Sequence, residues 1–391
     1  MLAAMLEEPA TEHLYVHVPF CASKCAYCAF YSEAGGGPLI DRYVQALVRE
    51  MEWVAGDLKP KTIFFGGGTP SLLNLRQWER ILQAMRRVGW LGAAEWTVEC
   101  NPATVSLDKA RLLRQWGVNR VSMGAQSFDD ALLARLGRVH SRRMIFKSFD
   151  ILRAAGMDNV NLDMMFAIPG QSLQSWRRTL AEALALGSEH LSCYEVIYEE
   201  DTPLFQQRRA GLAATDEDLA CAMYEELLRA AAAGGFRQYE VANFARHRAA
   251  APAEVPDLAC QHNVNCWRGG SFYGLGPGAA GYVRGVRTRN CANTLLYCRQ
   301  LERGRRPVQS TEHLPALARA AEIAAFGLRM TAGWPLELFE RRTGFDLRQE
   351  WKGEIKRMIQ MGYAELNEQR FHLTPQGLRF ADWAGAEFLR S

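Results

Sequence analysis

Hydrophobic and polar positions change period repeatedly along the first 233 residues. Residues 13–18, HLYVHV, alternate and are rich in β-formers, which predicts a first strand. Between Pro38 and Ala55, Leu39, Tyr43, Leu47, Met51 and Val54 recur at helical spacing. Residues 62–65 predict a buried strand that Gly66, Gly67 and Gly68 end. A helix over 74–88 follows, with Asn74 as N-cap. The pattern repeats as strands at 95–100, 120–123, 159–166 and 190–196. Helices are predicted at 106–116, 129–136, 141–155, 172–186 and 216–233. Gly117 stands just past the third helix, where helices commonly stop.

Six strand–helix alternations predict an α/β protein with a parallel sheet and helices outside it. A closed barrel needs eight units. Six give a partial (β/α)6 barrel with a side entrance, or else a doubly wound sheet. In both, ligands gather at the C-terminal ends of the strands. Residues 246–258 are rich in Ala and Pro and read as a linker, and a Gly-rich, aromatic segment follows. Helices at 312–328, 335–342, 347–361 and 375–389, with strand-like pieces at 363–366 and 370–373, resemble a small winged helix. Its expected role is packing rather than DNA reading. The organisation is residues 1–245 as barrel, 246–311 as a closing segment and 312–391 as a C-terminal helical domain.

Composition narrows the classes. Of 391 residues, 48% are hydrophobic and 23% charged, which excludes disorder, collagen and coiled coil as the main state. Lys and Arg total 46 against 43 Asp and Glu, a balance that gives no bulk electrostatic case for nucleic acid. No apolar run reaches the roughly 18–20 residues that span a bilayer. The N-terminus, MLAAMLEEPATEH, is acidic and lacks a secretory pattern, so a cytoplasmic protein is expected.

Ten cysteines are present, and three of them fall in one run, PFCASKCAYCAF: Cys21, Cys25 and Cys28. Three thiolates on one loop leave a tetrahedral zinc site a ligand short. They suit three irons of a [4Fe–4S] cube, with the fourth iron open to a small molecule. Structural zinc and redox thiols are the other readings. Gly66, Gly67, Gly68 and Thr69 follow the second strand, where bare backbone lets a ligand approach. Glu99, Gln126, Arg138 and Asp163 are polar residues at or near later strand ends. Arg299, Arg303, Arg305 and Arg306 form a basic run that reads as a solvated helix end.

The CxxxCxxC loop after a first strand, with those later residues in that order, resembles the radical S-adenosylmethionine superfamily and its coproporphyrinogen III oxidase-like branch. The resemblance implies a [4Fe–4S] cluster on the three cysteines and S-adenosylmethionine on its open iron, where a reduced cluster generates a 5′-deoxyadenosyl radical. It implies that Tyr15 and Tyr27 pack beside the cofactors. Glu99, Gln126, Arg138 and Asp163 would contact S-adenosylmethionine, Asp163 at the ribose hydroxyls, and the Gly66–Thr69 segment its amino group.

Oxidases of that branch carry a further cysteine two positions after the third and a long N-terminal segment. Here Cys28-Ala29-Phe30 lacks the cysteine, and about a dozen residues precede the first strand. Both features are similar to HemW-type heme chaperones. So is Tyr239–Phe244, and His262-Asn263-Val264-Asn265-Cys266-Trp267 resembles their HNxxYW motif. This implies heme as ligand and apo-hemoproteins, some at the membrane, as partners. His262 is then a candidate axial ligand, or a buried histidine satisfied by hydrogen bonds. Cys266 stands where Tyr is usual and is itself a candidate iron ligand. Ala280 replaces a usual histidine, and Ala167 a usual glycine, the latter read as a packing variant. The alternative functions are a coproporphyrinogen oxidase-like enzyme, a methyl- or alkyl-transferring enzyme, and a DNA-binding regulator.

Overall fold

The computed structural model describes residues 10–213, 216–251 and 253–390. Six parallel strands lie side by side in the order of the sequence: β1 (Thr11–Val18), β2 (Leu58–Gly67), β3 (Glu95–Cys100), β4 (Arg120–Gln126), β5 (Val160–Phe166) and β6 (His190–Glu195). That order never reverses. A doubly wound sheet requires a reversal, because right-handed crossovers reach both faces only when the strand order turns back. Without it every crossover falls on one face and the sheet curls about the other. The strand order therefore selects the partial barrel. The crossovers are α1 (Gly37–Val54), α2 (Leu75–Arg87), α3 (Leu107–Gln115), α4 (Asp130–Arg135), α5 (Arg142–Ala154) and α6 (Leu173–Ala185). Asn74 caps α2 as expected: its side chain accepts from Gln77 N–H, and Gln77 reciprocates.

The sheet stays open. At one edge β8 (Asn243–Ala245) pairs antiparallel with β6, and β7 (Arg237–Gln238) antiparallel with β8; at the other β9 (Tyr273–Leu275) pairs parallel with β1. Strand positions alternate in character. Leu14, Val16, Ile63, Phe65, Trp96, Val98, Val121, Met123, Leu162 and Leu191 join the core beneath the helices. The intervening positions face the inside of the curl and are largely polar. There His190 bonds Asn161 (2.7 Å) and Tyr239 (2.8 Å), Asn161 donates to Ser122 (2.7 Å), and Arg120 donates to Thr97 (3.4 Å).

The Gly-rich, aromatic segment, for which the sequence pattern predicts no elements, is folded. After α7 (Pro203–Arg209) and α8 (Glu217–Ala233) it supplies α9 (Gln261–Trp267) and α10 (Thr294–Glu302). It also supplies the antiparallel strands β10 (Ala280–Val283), β11 (Val286–Asn290) and β12 (Val308–His313). These pieces are too short to show a period. Gly276 has φ +97°, and a Cβ there would meet His17 O at 2.3 Å, so β9 docks on β1 only through a glycine. The buried Glu50 of α1 accepts from Gly276 N–H (2.8 Å), Asn290 (2.7 Å) and Tyr297 (2.6 Å), which fastens the segment to the barrel.

A second core forms between Ala320 and Phe388. It carries α11 (Ala316–Gly327) and a three-stranded sheet of Trp334–Pro335, Arg370–Leu373 and Ala364–Leu366. Two helices expected to be continuous are broken. Trp351, at φ −116° and ψ 30°, separates Leu347–Glu350 from Lys352–Gln360 because its buried indole turns to donate to Phe388 O (2.8 Å). Phe380, at φ −114° and ψ 27°, separates Pro375–Leu378 from Ala381–Phe388. Among the described residues no helix is long and apolar enough to cross a membrane.

Candidate functional site

The cysteine loop leaves the C-terminal end of β1 and is tied down on several sides. Cys21 N–H donates to Glu33 O (3.1 Å), Ala26 N–H to Leu136 O (3.0 Å), and Leu204 N–H to Ala26 O (2.8 Å). His17 braces the loop's far end through Nε2 to Tyr31 O (2.8 Å). A carbonyl only accepts, so Nε2 carries the hydrogen and Nδ1 accepts from Tyr15 Oη (3.0 Å). Burial lowers the His17 pKa, in keeping with that neutral ring.

The glycine run at the end of β2 packs on this loop. Gly68 N–H donates to Val18 O and Thr69 N–H to Phe20 O, both at 2.8 Å. Thr69 Oγ1 lies 3.5 Å from Cys21 Sγ. Gly67 has φ +104°, and a Cβ there would lie 2.4 Å from the His17 ring. The missing side chains are thus required by the protein's own packing, before any ligand is considered. Gly67 N–H also donates to Glu99 Oε2 (3.1 Å).

One cavity of about 640 Å³ opens where these segments meet. Cys21, Cys25, Tyr27, Cys28, Gly67, Gly68, Thr69, Glu99, Gln126, Arg138 and Asp163 all line it. Tyr15 and Gly66 are not in the lining: Tyr15 lies beneath, against Phe64 and His17, and a Cβ on Gly66 would meet Glu99 Cδ at 3.0 Å. Gln126 ends β4 with φ +66°. Arg138 donates Nη2 to Gly124 O (2.8 Å) and Nη1 to Cys25 Sγ (3.5 Å), while its Nε is buried without a partner. Asp163 accepts from Ser122 (3.0 Å) and Asn161 (2.7 Å). Burial, then the charge of Asp163, pushes the Glu99 pKa up to about 8; burial also raises that of Asp163.

These residues fit the cofactors that the cysteine pattern implies. Three thiols face one cavity beside a guanidinium with an unused donor. Among the described residues no three His, Cys, Asp or Glu side chains close on one ion-sized point. Two half-buried carboxylates, Glu99 and Asp163, suit a ligand with a cationic sulfonium and ammonium, whose charge would draw Glu99 into its ionised form.

His262 and Cys266 are elsewhere. They sit one turn apart on α9, at the N-terminal end of the barrel. There His13, Thr62 and Glu95 stand in register on β1, β2 and β3. Along β1 this is about 16 Å from the start of the cysteine loop. Glu95 caps α9, accepting from Gln261 N–H (2.7 Å) and His262 N–H (3.0 Å). The His262 Nδ1 bonds Thr62 Oγ1 (3.0 Å), and its ring lies among His13, Phe64 and Phe272. Burial and His13 lower its pKa to about 3, and burial raises that of Cys266 to about 12.

Comparison with known proteins places this geometry. Residues 15–183 match the model of the radical SAM superfamily, and residues 314–380 the HemN C-terminal domain. The chain is 33% identical to the heme chaperone HemW of Bacillus subtilis (strain 168), over 93% of this chain and 95% of that one. The chain belongs to the HemW family. The HemW of Escherichia coli (strain K12) is 38% identical over 69% of this chain and 70% of its own. Among solved structures, the radical SAM enzyme coproporphyrinogen III oxidase (HemN) of Escherichia coli superposes with TM-score 0.83 at 20% identity. It covers 97% of this chain and 90% of its own, which shows a shared fold.

The cavity also contains Phe30, which stands in the cysteine motif without an assigned role, and residues that the motifs did not flag, among them Val139, Met165, Tyr194, Glu195, Ile197 and Glu199. Tyr194 and Glu195 lie at the C-terminal end of β6, so their strand-end position was the one available signal.

Proposed function

We propose that the protein is a heme chaperone: it holds a [4Fe–4S] cluster on Cys21, Cys25 and Cys28, binds S-adenosylmethionine beside it, and delivers heme to apo-hemoproteins. The observation that carries the reading is similarity over nearly the whole chain to proteins named heme chaperones. The cavity supports the cofactor half. When bound, the cluster supplies a low-potential electron and one open iron for the methionine end of S-adenosylmethionine.

The chain's own residues then have distinct tasks. Glu99 would accept hydrogen from the ammonium group beside the backbone of the Gly66–Thr69 segment, and Gly67 N–H fixes the carboxylate that does so. Asp163 accepts from the ribose hydroxyls while Ser122 and Asn161 hold its orientation. Arg138 holds positive charge against the Cys25 thiolate. Tyr27, within the loop, lines the cavity beside the cysteines. Phe30 stands where an oxidase-like pattern places a further cysteine, and it is exposed at the mouth.

The test is transfer. Reconstituted protein loaded with hemin is mixed with an apo-hemoprotein, and the Soret band is followed. The reading expects the band to move to that of the acceptor, with no vinyl porphyrin formed from coproporphyrinogen III. Turnover of coproporphyrinogen III without heme transfer would assign the oxidase-like enzyme instead.

A further inference from the structure

The cavity has an outer half that the cofactor residues do not use. Phe30, Val139, Tyr194 and Ile197 line it, with 69%, 51%, 42% and 65% of their surface exposed. Four large apolar side chains around one opening form an unpartnered patch, and such a patch at a cavity marks a ligand site. The same mouth carries two exposed acids, Glu195 and Glu199. Lys24 is its exposed cation, because Arg138 is half-buried with Nη1 and Nη2 turned inward to Cys25 Sγ and Gly124 O. The outer half is therefore apolar with a net negative edge.

Size adds a constraint. About 640 Å³ is the volume that encloses one drug-sized ligand. With S-adenosylmethionine inside, a tetrapyrrole has room only across the mouth. Charge decides its orientation. Heme carries its two propionates on one side and vinyl groups on the other; coproporphyrin carries a propionate on each of its four rings. Only heme offers the mouth an edge free of carboxylate. Like charges brought together at a half-buried rim are costly.

We propose that Phe30, Val139, Tyr194 and Ile197 receive the vinyl edge of heme across the mouth of the cluster cavity, with its propionates in solvent. Glu195 and Glu199 make the site selective against macrocycles with carboxylates on every ring. The proposal rests on the heme-binding reading above. It places the ligand at the opposite end of the barrel from His262, whose ring is already enclosed.

The test compares hemin with iron coproporphyrin on the reconstituted full chain, by Soret absorbance retained after gel filtration. Hemin is expected to bind at least tenfold more tightly. Phe30→Ser with Ile197→Ser should weaken hemin at least tenfold while iron and sulfide content and circular dichroism are unchanged. Glu195→Gln with Glu199→Gln should narrow the difference between the two ligands at least threefold. Equal binding of both ligands by the unaltered protein overturns the selectivity. Hemin binding that neither double variant alters overturns the location and leaves the heme-binding reading standing. Failure of the unaltered protein to retain hemin overturns both.

Discussion

Ala167 holds a left-handed backbone, φ +55°, directly after β5. An L side chain there costs about 1–2 kcal/mol, most of which glycine avoids. The position resembles one where glycine is usual, so the alanine is a backbone substitution rather than the packing variant its sequence context suggests. Ala167→Gly should raise the unfolding free energy by about 0.5–1 kcal/mol, read from urea denaturation. Glu99 predicts a pH effect. Its native pKa of about 8 lies above the ordinary carboxylate value, so the folded chain binds the extra proton between roughly pH 4.5 and 8. Stability without S-adenosylmethionine should therefore fall as pH rises through that window, by at most about 5 kcal/mol for this group and less as water reaches the carboxylate, and Glu99→Gln should flatten the slope. Bound S-adenosylmethionine should flatten it too, since a cation favours the carboxylate. Glu99 and Asp163 were legible in the sequence because they are polar residues at strand ends. Val139 and Ile197 were not, because an apolar residue in sequence does not say whether it is covered.

The short helix α9 shows what a motif leaves unsaid. Its sequence offers His262 and Cys266 one turn apart, and nothing in seven residues reveals which end of the barrel receives them. Three contacts from two strands decide it: Glu95 of β3 caps the helix, and on β2 Thr62 takes the His262 Nδ1 and Phe64 packs on the ring. The helix is thus held as a plug. His262→Ala should cost about 2 kcal/mol, from lost packing and a bereft Thr62 hydroxyl, and should leave hemin retention intact. A loss of hemin with unchanged stability would return the ligand role to this histidine. Glu95→Ala should free two backbone N–H groups at the helix start and cost about 1–2 kcal/mol. It should speed amide exchange in α9 ahead of the cysteine loop.

At the scale of the whole molecule, the order of the strands and the character of their inner face matter most. Six alternations of period made the barrel units readable, and a single direction of winding, visible only in space, made them a barrel. The inner face was less readable. Each strand, six to ten residues long, contributes only a few polar positions, and these become one network only once Asn161, His190 and Tyr239 meet across β5, β6 and the chain beyond. A polar interior leaves the C-terminal mouth as the place where the half-buried carboxylates and the cysteine loop converge. The claim that joins residue, element and fold is that Cys21, Cys25 and Cys28 hold a [4Fe–4S] cluster with S-adenosylmethionine in the same cavity. The direct measurement is electron paramagnetic resonance of the anaerobically reconstituted, reduced protein with and without S-adenosylmethionine, beside the Cys21→Ala, Cys25→Ala, Cys28→Ala triple variant. The account predicts a reduced-cluster signal that shifts when S-adenosylmethionine is added and is absent from the variant. Iron and sulfide retained in the variant, or a signal that S-adenosylmethionine does not move, would contradict it.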